Sequence, residues 1–187
     1  MAMVPPPRHR TPSTRALAAR TATVLGALAG AALLVPAGAS AATCSGANRS
    51  VASQGTAKAE RAVRCLVNQR RAAGGLRALG YDGRAARAAQ RHTDDMVRRR
   101  YFDHVSPGGS TISDRVNATG MKWRTIGENI AVGQRTPAAV VRGWMNSPGH
   151  RANIMNASFT VLGVGASRRG TRGYSGPTWT QVFARPR

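Results

Sequence analysis

Residues 101–109 (YFDHVSPGG), 127–130 (GENI) and 143–155 (GWMNSPGHRANIM) are the stretches whose reading decides the fold. Pro107-Gly108 and Pro148-Gly149 interrupt any regular periodicity, so His104 and His150 sit in turn-forming sequence and not on an apolar helical stripe. Between them, Thr136 as N-cap and Pro137 at the first helical position open a helix, AAVVRGWMNS. Val140, Val141, Trp144 or Met145 would face its core side, and Pro148-Gly149 is expected to end it. GENIAVG reads as a compact turn around Glu128, which with Glu60 completes the glutamates of the chain. Convergence of His104, Glu128 and His150 on one cleft is the sharpest expectation the residues offer.

The chemistry open to such a cleft follows from the side chains. Two neutral imidazoles, from His104 and His150, could ligate zinc or another divalent cation. Glu128 could join them as ligand, orient one ring, or act as base on a bound water. Two protein ligands make an exchangeable site, because structural zinc takes four. A hydrogen-bonded network that ties loops together accounts for the same residues. Ser106, Asn146 and Ser147 could add hydrogen bonds at the rim. A nucleophilic Ser106 or Ser147 would need a histidine within reach and an oxyanion site; SPGG and NSPGH read first as turns and caps. The sequence has no G-x-S-x-G elbow, no HExxH and no phosphate loop.

The ordered set FxHxSP, GENI, a Trp-bearing helix running into SPGHRxNIM, and a late TQVF strand resembles the CAP superfamily. This is the SCP-like group of cysteine-rich secretory, antigen 5 and pathogenesis-related proteins. The resemblance spans roughly residues 57–184 and is strongest to secreted bacterial members. It implies a mixed α/β fold: a three-layer α-β-α sandwich with a largely antiparallel central sheet. It also implies a cleft lined by two histidines and two acids. His104 matches the histidine of FxHxS, Glu128 the glutamate of GEN, and His150 the histidine of the GH pair. The second acid is expected three residues after Trp144, where this chain has Ser147. That departure removes a second acid or base and weakens a copied acid–base mechanism. Some members bind sterols or fatty acids, but no motif here specifies a lipid.

The chain has 187 residues, a formal net charge of +21 and 42% apolar residues, with three each of Phe, Tyr and Trp. A core of small residues with a few aromatic anchors fits this inventory. Lys58 and Lys122 are the only lysines, so the charge is almost all arginine. It favours anionic partners such as wall polymers or lipid surfaces, and an arginine-biased genome would leave the same mark. Nothing resembles a zinc finger, RNP motif or basic zipper, which argues against specific nucleic-acid recognition.

Arg8, Arg10, Arg15 and Arg20 precede TATVLGALAGAALLVPAGASAA, the pattern of a secretory signal peptide over residues 1–41, with cleavage after Ala39 or Ala41. No membrane span would remain after cleavage. Residues 42–56 read as a flexible lead-in, 57–184 as the domain and 185–187 as a tail. Cys44 and Cys65, the only cysteines, read as one disulfide in an exported chain, or as two buried thiols if export is wrong.

Helices are expected over residues 56–73 and about 83–99. In the second, His92 shares a stripe with Ala85, Ala88, Ala89 and Met96, so it reads as a packed histidine before a ligand. A short helix around Ile112 and Val116 follows, and FTVLGVGASR and TWTQVFA form a late antiparallel hairpin. The leading functional expectation is a secreted or envelope-associated protein, not an enzyme, that binds a ligand or divalent ion in the His/Glu cleft. A metal-assisted hydrolase with Glu128 as base is one alternative. An arginine-rich structural or lipid-binding envelope protein is the other.

Overall fold

The computed structural model describes residues 43–187. The signal-peptide expectation for residues 1–41 lies outside the described residues. The elements run α1 (Val51–Gln54), α2 (Thr56–Ala73), β1 (Gly80–Tyr81), α3 (Gly83–Arg99), α4 (Ile112–Asn117), β2 (Trp123–Val132), α5 (Pro137–Asn146), α6 (Pro148–Ile154), β3 (Val161–Ser167) and β4 (Thr178–Pro186). The sheet order is β1-β3-β4-β2, antiparallel except for the parallel β1–β3 pair. This is the largely antiparallel sheet expected, with helices on both faces.

Alternation along β4 explains the layers. Trp179 and Phe183 face one way, into a core with Val63 and Val67 of α2, Val140, Val141 and Trp144 of α5, and Ile154 of α6. Val182 and Ala184 face the other way, against Ala85, Ala88 and Ala89 of α3 and Val116 of α4. Both faces of β4 are therefore covered.

The α3 face is built from very small residues. Asp82 caps the helix by accepting from the backbone of Arg84 and Ala85, and alanines spaced three and four apart present almost bare backbone to the sheet. Opposite them β3 carries Gly163 and Gly165. A Cβ on Gly163 would lie 2.1 Å from Ala85 C and Ala86 N, and one on Gly165 would lie 2.5 Å from Gln90 N. Helix and strand thus approach at backbone distance, which suits a chain with so few large side chains.

Three expectations need correction. GENI is no turn: Gly127, Glu128, Asn129 and Ile130 lie in β2, paired with Phe183, Val182, Gln181 and Thr180 of β4. Gly127 is there because a Cβ would come 2.8 Å from the Phe159 ring. Pro148-Gly149 ends α5 but also opens α6, so His150 is helical; proline is well placed in a first turn, where its missing N–H is no loss. Residues 43–56 are packed, not loose. Val51 is fully buried in the main core, its N–H donates to Arg135 O, and Ala138 N–H donates to Ala47 O.

The same segment is held by the Cys44–Cys65 disulfide, which spans 21 residues of sequence. Closing a loop of that length stabilises by about 3 kcal/mol through the unfolded chain. A Cys44→Ser/Cys65→Ser variant is expected to lose about that much in urea unfolding, with the midpoint falling and the slope changed only modestly.

Candidate ligand cleft

Alternation in β2, an edge strand, sends the Glu128 side chain to the α3–α4 face, where only 3% of it is exposed. Three side chains close around it: Arg115, His104 and His92. Arg115 of α4 donates from Nη2 to both carboxylate oxygens, at 3.0 and 2.9 Å. That guanidinium also reaches His104 O and Ser110 O, so it joins β2 to the loop after α3. Arg115 is placed by a capping box at the start of α4, with Thr111 and Asp114 bonded reciprocally.

His104 Nδ1 lies 2.8 Å from Glu128 Oε1, with its ring about half exposed. Nε2 makes no hydrogen bond among the described residues. His92, fully buried on α3, places Nε2 at 3.7 Å from the same oxygen. Its Nδ1 is 3.3 Å from the Tyr101 hydroxyl, which donates to Asp95 and contacts Ser106 Oγ at 3.0 Å.

His150 approaches from the opposite layer. Asn129 Nδ2 donates to His150 O, and Asn153 Nδ2 donates to Glu128 O and to Asn129 Oδ1, pinning α6 against β2. The His150 ring lines a groove of about 300 Å³ with Phe102, Ile130, Trp144, Ser147 and Tyr174. Trp144 is an anchor, donating from Nε1 to Ile130 O. Ser147 is the junction of α5 and α6, and its side chain makes no capping bond to α6. No acid stands at that position.

The two histidines are tuned in opposite directions. The hydrogen bond to Glu128 raises the His104 pKa above 6.5, against partial burial of the ring. Burial lowers that of His150, and the charge of His104 lowers it further. His104 is therefore the more readily protonated ring of the two, and His150 the less readily protonated. His92 is lowered by burial, which outweighs attraction to Glu128.

The structure brings His104 and Glu128 into direct contact and sets His150 and Ser147 together in the groove. Glu128 itself is nearly sealed, and meets the cleft through His104. Ser106 is buried against Tyr101, away from a serine–histidine pairing. Neither Arg115 nor the approach of His92 to Glu128 was expected from the sequence. A cap at Ser110 or Thr111 was legible, but nothing distinguished Arg115 among so many arginines.

The donor set bears on metal binding. Among the described residues no group of three or more His, Cys, Asp or Glu could hold an ion. With His104 Nδ1 committed to Glu128, its Nε2 and the His150 ring are the imidazole donors left, fewer than the four ligands a structural zinc takes.

Residues 65–183 match the family model described as the cysteine-rich secretory protein family, CAP. The chain belongs to the CAP family. Its CAP domain is 43% identical over 124 residues to the uncharacterized protein YkwD of Bacillus subtilis (strain 168), covering 66% of this chain and 46% of that one. It is 37% identical over 110 residues to the uncharacterized membrane protein YlbC of the same strain, covering 59% of this chain and 32% of that protein. The chain thus spans less than half the length of these relatives. Among solved structures, an extracellular SCP-domain protein from Bacillus anthracis str. Ames aligns with a TM-score of 0.62 at 34% identity, covering 70% of this chain and 41% of that one. An outer surface protein from Borrelia burgdorferi, at 19% identity, shares the fold with a TM-score of 0.60, covering 67% of this chain and 90% of that one.

Proposed function

We propose that this CAP domain is a binding module of the extracellular or envelope space, with the groove at His150 and the exposed ring of His104 as its ligand-contacting surface. The observation that carries this reading is the state of Glu128. Its two oxygens are spanned by Arg115 and one is bonded to His104 Nδ1, so the carboxylate is occupied in orienting a histidine. A general base must reach a substrate proton, and the Glu128 side chain is only 3% exposed. With Ser147 in place of a second acid, the cleft offers recognition groups and little proton-transfer machinery.

A divalent ion fits as a shared ligand: His104 Nε2 and His150 would hold it, and it would supply a Lewis-acidic contact for an anionic group of the bound molecule. Export is supported by the basic–apolar leader pattern, by a disulfide suited to oxidising compartments, and by the extracellular description of the Bacillus anthracis relative. Among the described residues no helix is long and apolar enough to cross a membrane.

Zinc titration by calorimetry provides the test. Weak uptake of about one equivalent is expected near neutral pH, strengthening as pH rises past the His104 titration because proton and metal compete for the ring. It should vanish in His104→Ala/His150→Ala. Unchanged uptake in that variant would remove the metal assignment. Hydrolytic turnover by the wild type that disappears in a folded Glu128→Gln variant would replace the binding reading with an enzymatic one.

A further inference from the structure

Among the described residues, the only non-glycine residues with left-handed backbone are Arg100 (φ 55°) and Arg172 (φ 44°). Both line one pocket of about 350 Å³, together with Arg169, Thr171 and Tyr174. A side chain in this conformation is disfavoured by sterics that glycine escapes. Arginine nevertheless occupies both positions, and both open on the same concavity.

The pocket walls are fixed. Arg100 caps the C-terminus of α3 through its N–H to Met96 O. The β3–β4 loop is tied to that helix end by Thr171, which is 3% exposed and whose hydroxyl reaches the carbonyls of Met96 and Tyr101. Gly170 is packed so closely that a Cβ would collide with Tyr174 O. None of Arg100, Arg169 and Arg172 forms an ion pair among the described residues. On the last turns of the same helix, by contrast, Arg98 and Arg99 are both paired with Asp95. The pocket is lined by three arginines and no acid.

Its position matters as much as its charge. Tyr174, 56% exposed, is a wall of this pocket and also of the groove that holds His150. Phe102 lies beside it, ring centroids 5.9 Å apart. An anionic group among the arginines would leave the adjoining part of its molecule over Tyr174 and into the groove.

We propose that Arg100, Arg169 and Arg172 form a phosphodiester site, and that its ligand is a phosphate-linked polymer whose neighbouring unit lies over Tyr174. Guanidinium forks match phosphate oxygens in pairs. A pocket that shares its Tyr174 wall with an aromatic-lined groove suits a chain lying across both better than a planar bilayer surface. The groove half of this proposal rests on the binding role assigned above; the phosphate half does not.

The test is calorimetric titration of the protein with a soluble glycerol-phosphate oligomer over a salt series. Binding should weaken with salt. The Arg100→Gly/Arg172→Gly variant should bind about tenfold or more weakly and lower the log–log salt slope by roughly one and a half, as for two charges on a flexible polyanion. Its thermal midpoint should be equal to or above wild type, since glycine relieves both left-handed positions. Affinity within about twofold of wild type in that folded variant would overturn the site. Binding to phosphatidylglycerol vesicles without binding to the oligomer would overturn the polymer as ligand. Tyr174→Ala separates the halves: a further loss of oligomer affinity supports the groove path, whereas no loss beside a clear loss in the arginine variant keeps the phosphate site and removes the groove.

Discussion

Arg115→Ala is expected to destabilise the fold by about 3–5 kcal/mol, the range for removing one partner of a buried ion pair. The Arg115 and Glu128 side chains are 8% and 3% exposed, with the Arg115 nitrogen 2.9 Å from Oε2. Without the guanidinium, the carboxylate keeps only His104 as a close partner and must be hydrated or protonated at a cost. The His104 carbonyl also loses the Arg115 donor, and the Ser110 carbonyl keeps only the Ser106 N–H. Replacing both partners, as Arg115→Met/Glu128→Leu, should recover much of the loss, because a desolvated pair contributes little beyond an apolar pair of similar volume. Equilibrium urea unfolding of the three variants measures this. A loss below about 1 kcal/mol for Arg115→Ala would place the pair in the range of solvated surface bridges and take Glu128 out of a buried network.

Gly163→Val is expected to prevent folding to a soluble native state, a loss beyond about 4 kcal/mol. The new Cβ would be 2.1 Å from backbone atoms of Ala85 and Ala86. No rotamer change can relieve a contact with main chain, so α3 would have to lift from the sheet, uncovering Val182 and Ala184. Gly143→Ala is the matched control. Gly143 lies within α5 with nothing within 4 Å of an added Cβ, and alanine there should be neutral or stabilising by up to about 1 kcal/mol. Soluble expression and thermal midpoints distinguish the two. A folded Gly163→Val protein with native stability would refute the backbone-distance packing of α3.

Much of this architecture was legible because local signals agreed with tertiary ones. The Ala85, Ala88 and Ala89 stripe marked the buried face of α3, and alternation in TWTQVFA marked a strand. His104 and His150 stood out since turn sequence gave no packing reason for them. GENI was misread because Gly127 looks like a turn residue in sequence, while its role is to admit the Phe159 ring beside a strand. His150 was placed in a turn because Pro148 looked like a stop, and a proline that opens the next helix carries the same letters. The least visible element was Arg115. Its importance comes from meeting Glu128 across the fold, and no local pattern encodes that meeting. The left-handed arginines were hidden for the same reason, since backbone conformation at Arg100 and Arg172 is set by the helix end and loop around them.

The central claim is that Glu128 serves His104, holding its Nδ1 and shifting its charge, and leaves Nε2 and His150 for ligand. The most direct measurement is an NMR pH titration of the imidazole nitrogens in wild type and in Glu128→Gln. In wild type, His104 should titrate above 6.5 and His150 below it, as the hydrogen bond and burial respectively require. In Glu128→Gln the His104 midpoint should fall markedly, narrowing the gap between the two rings. Equal midpoints in wild type, or a His104 midpoint unmoved by the substitution, would contradict the account.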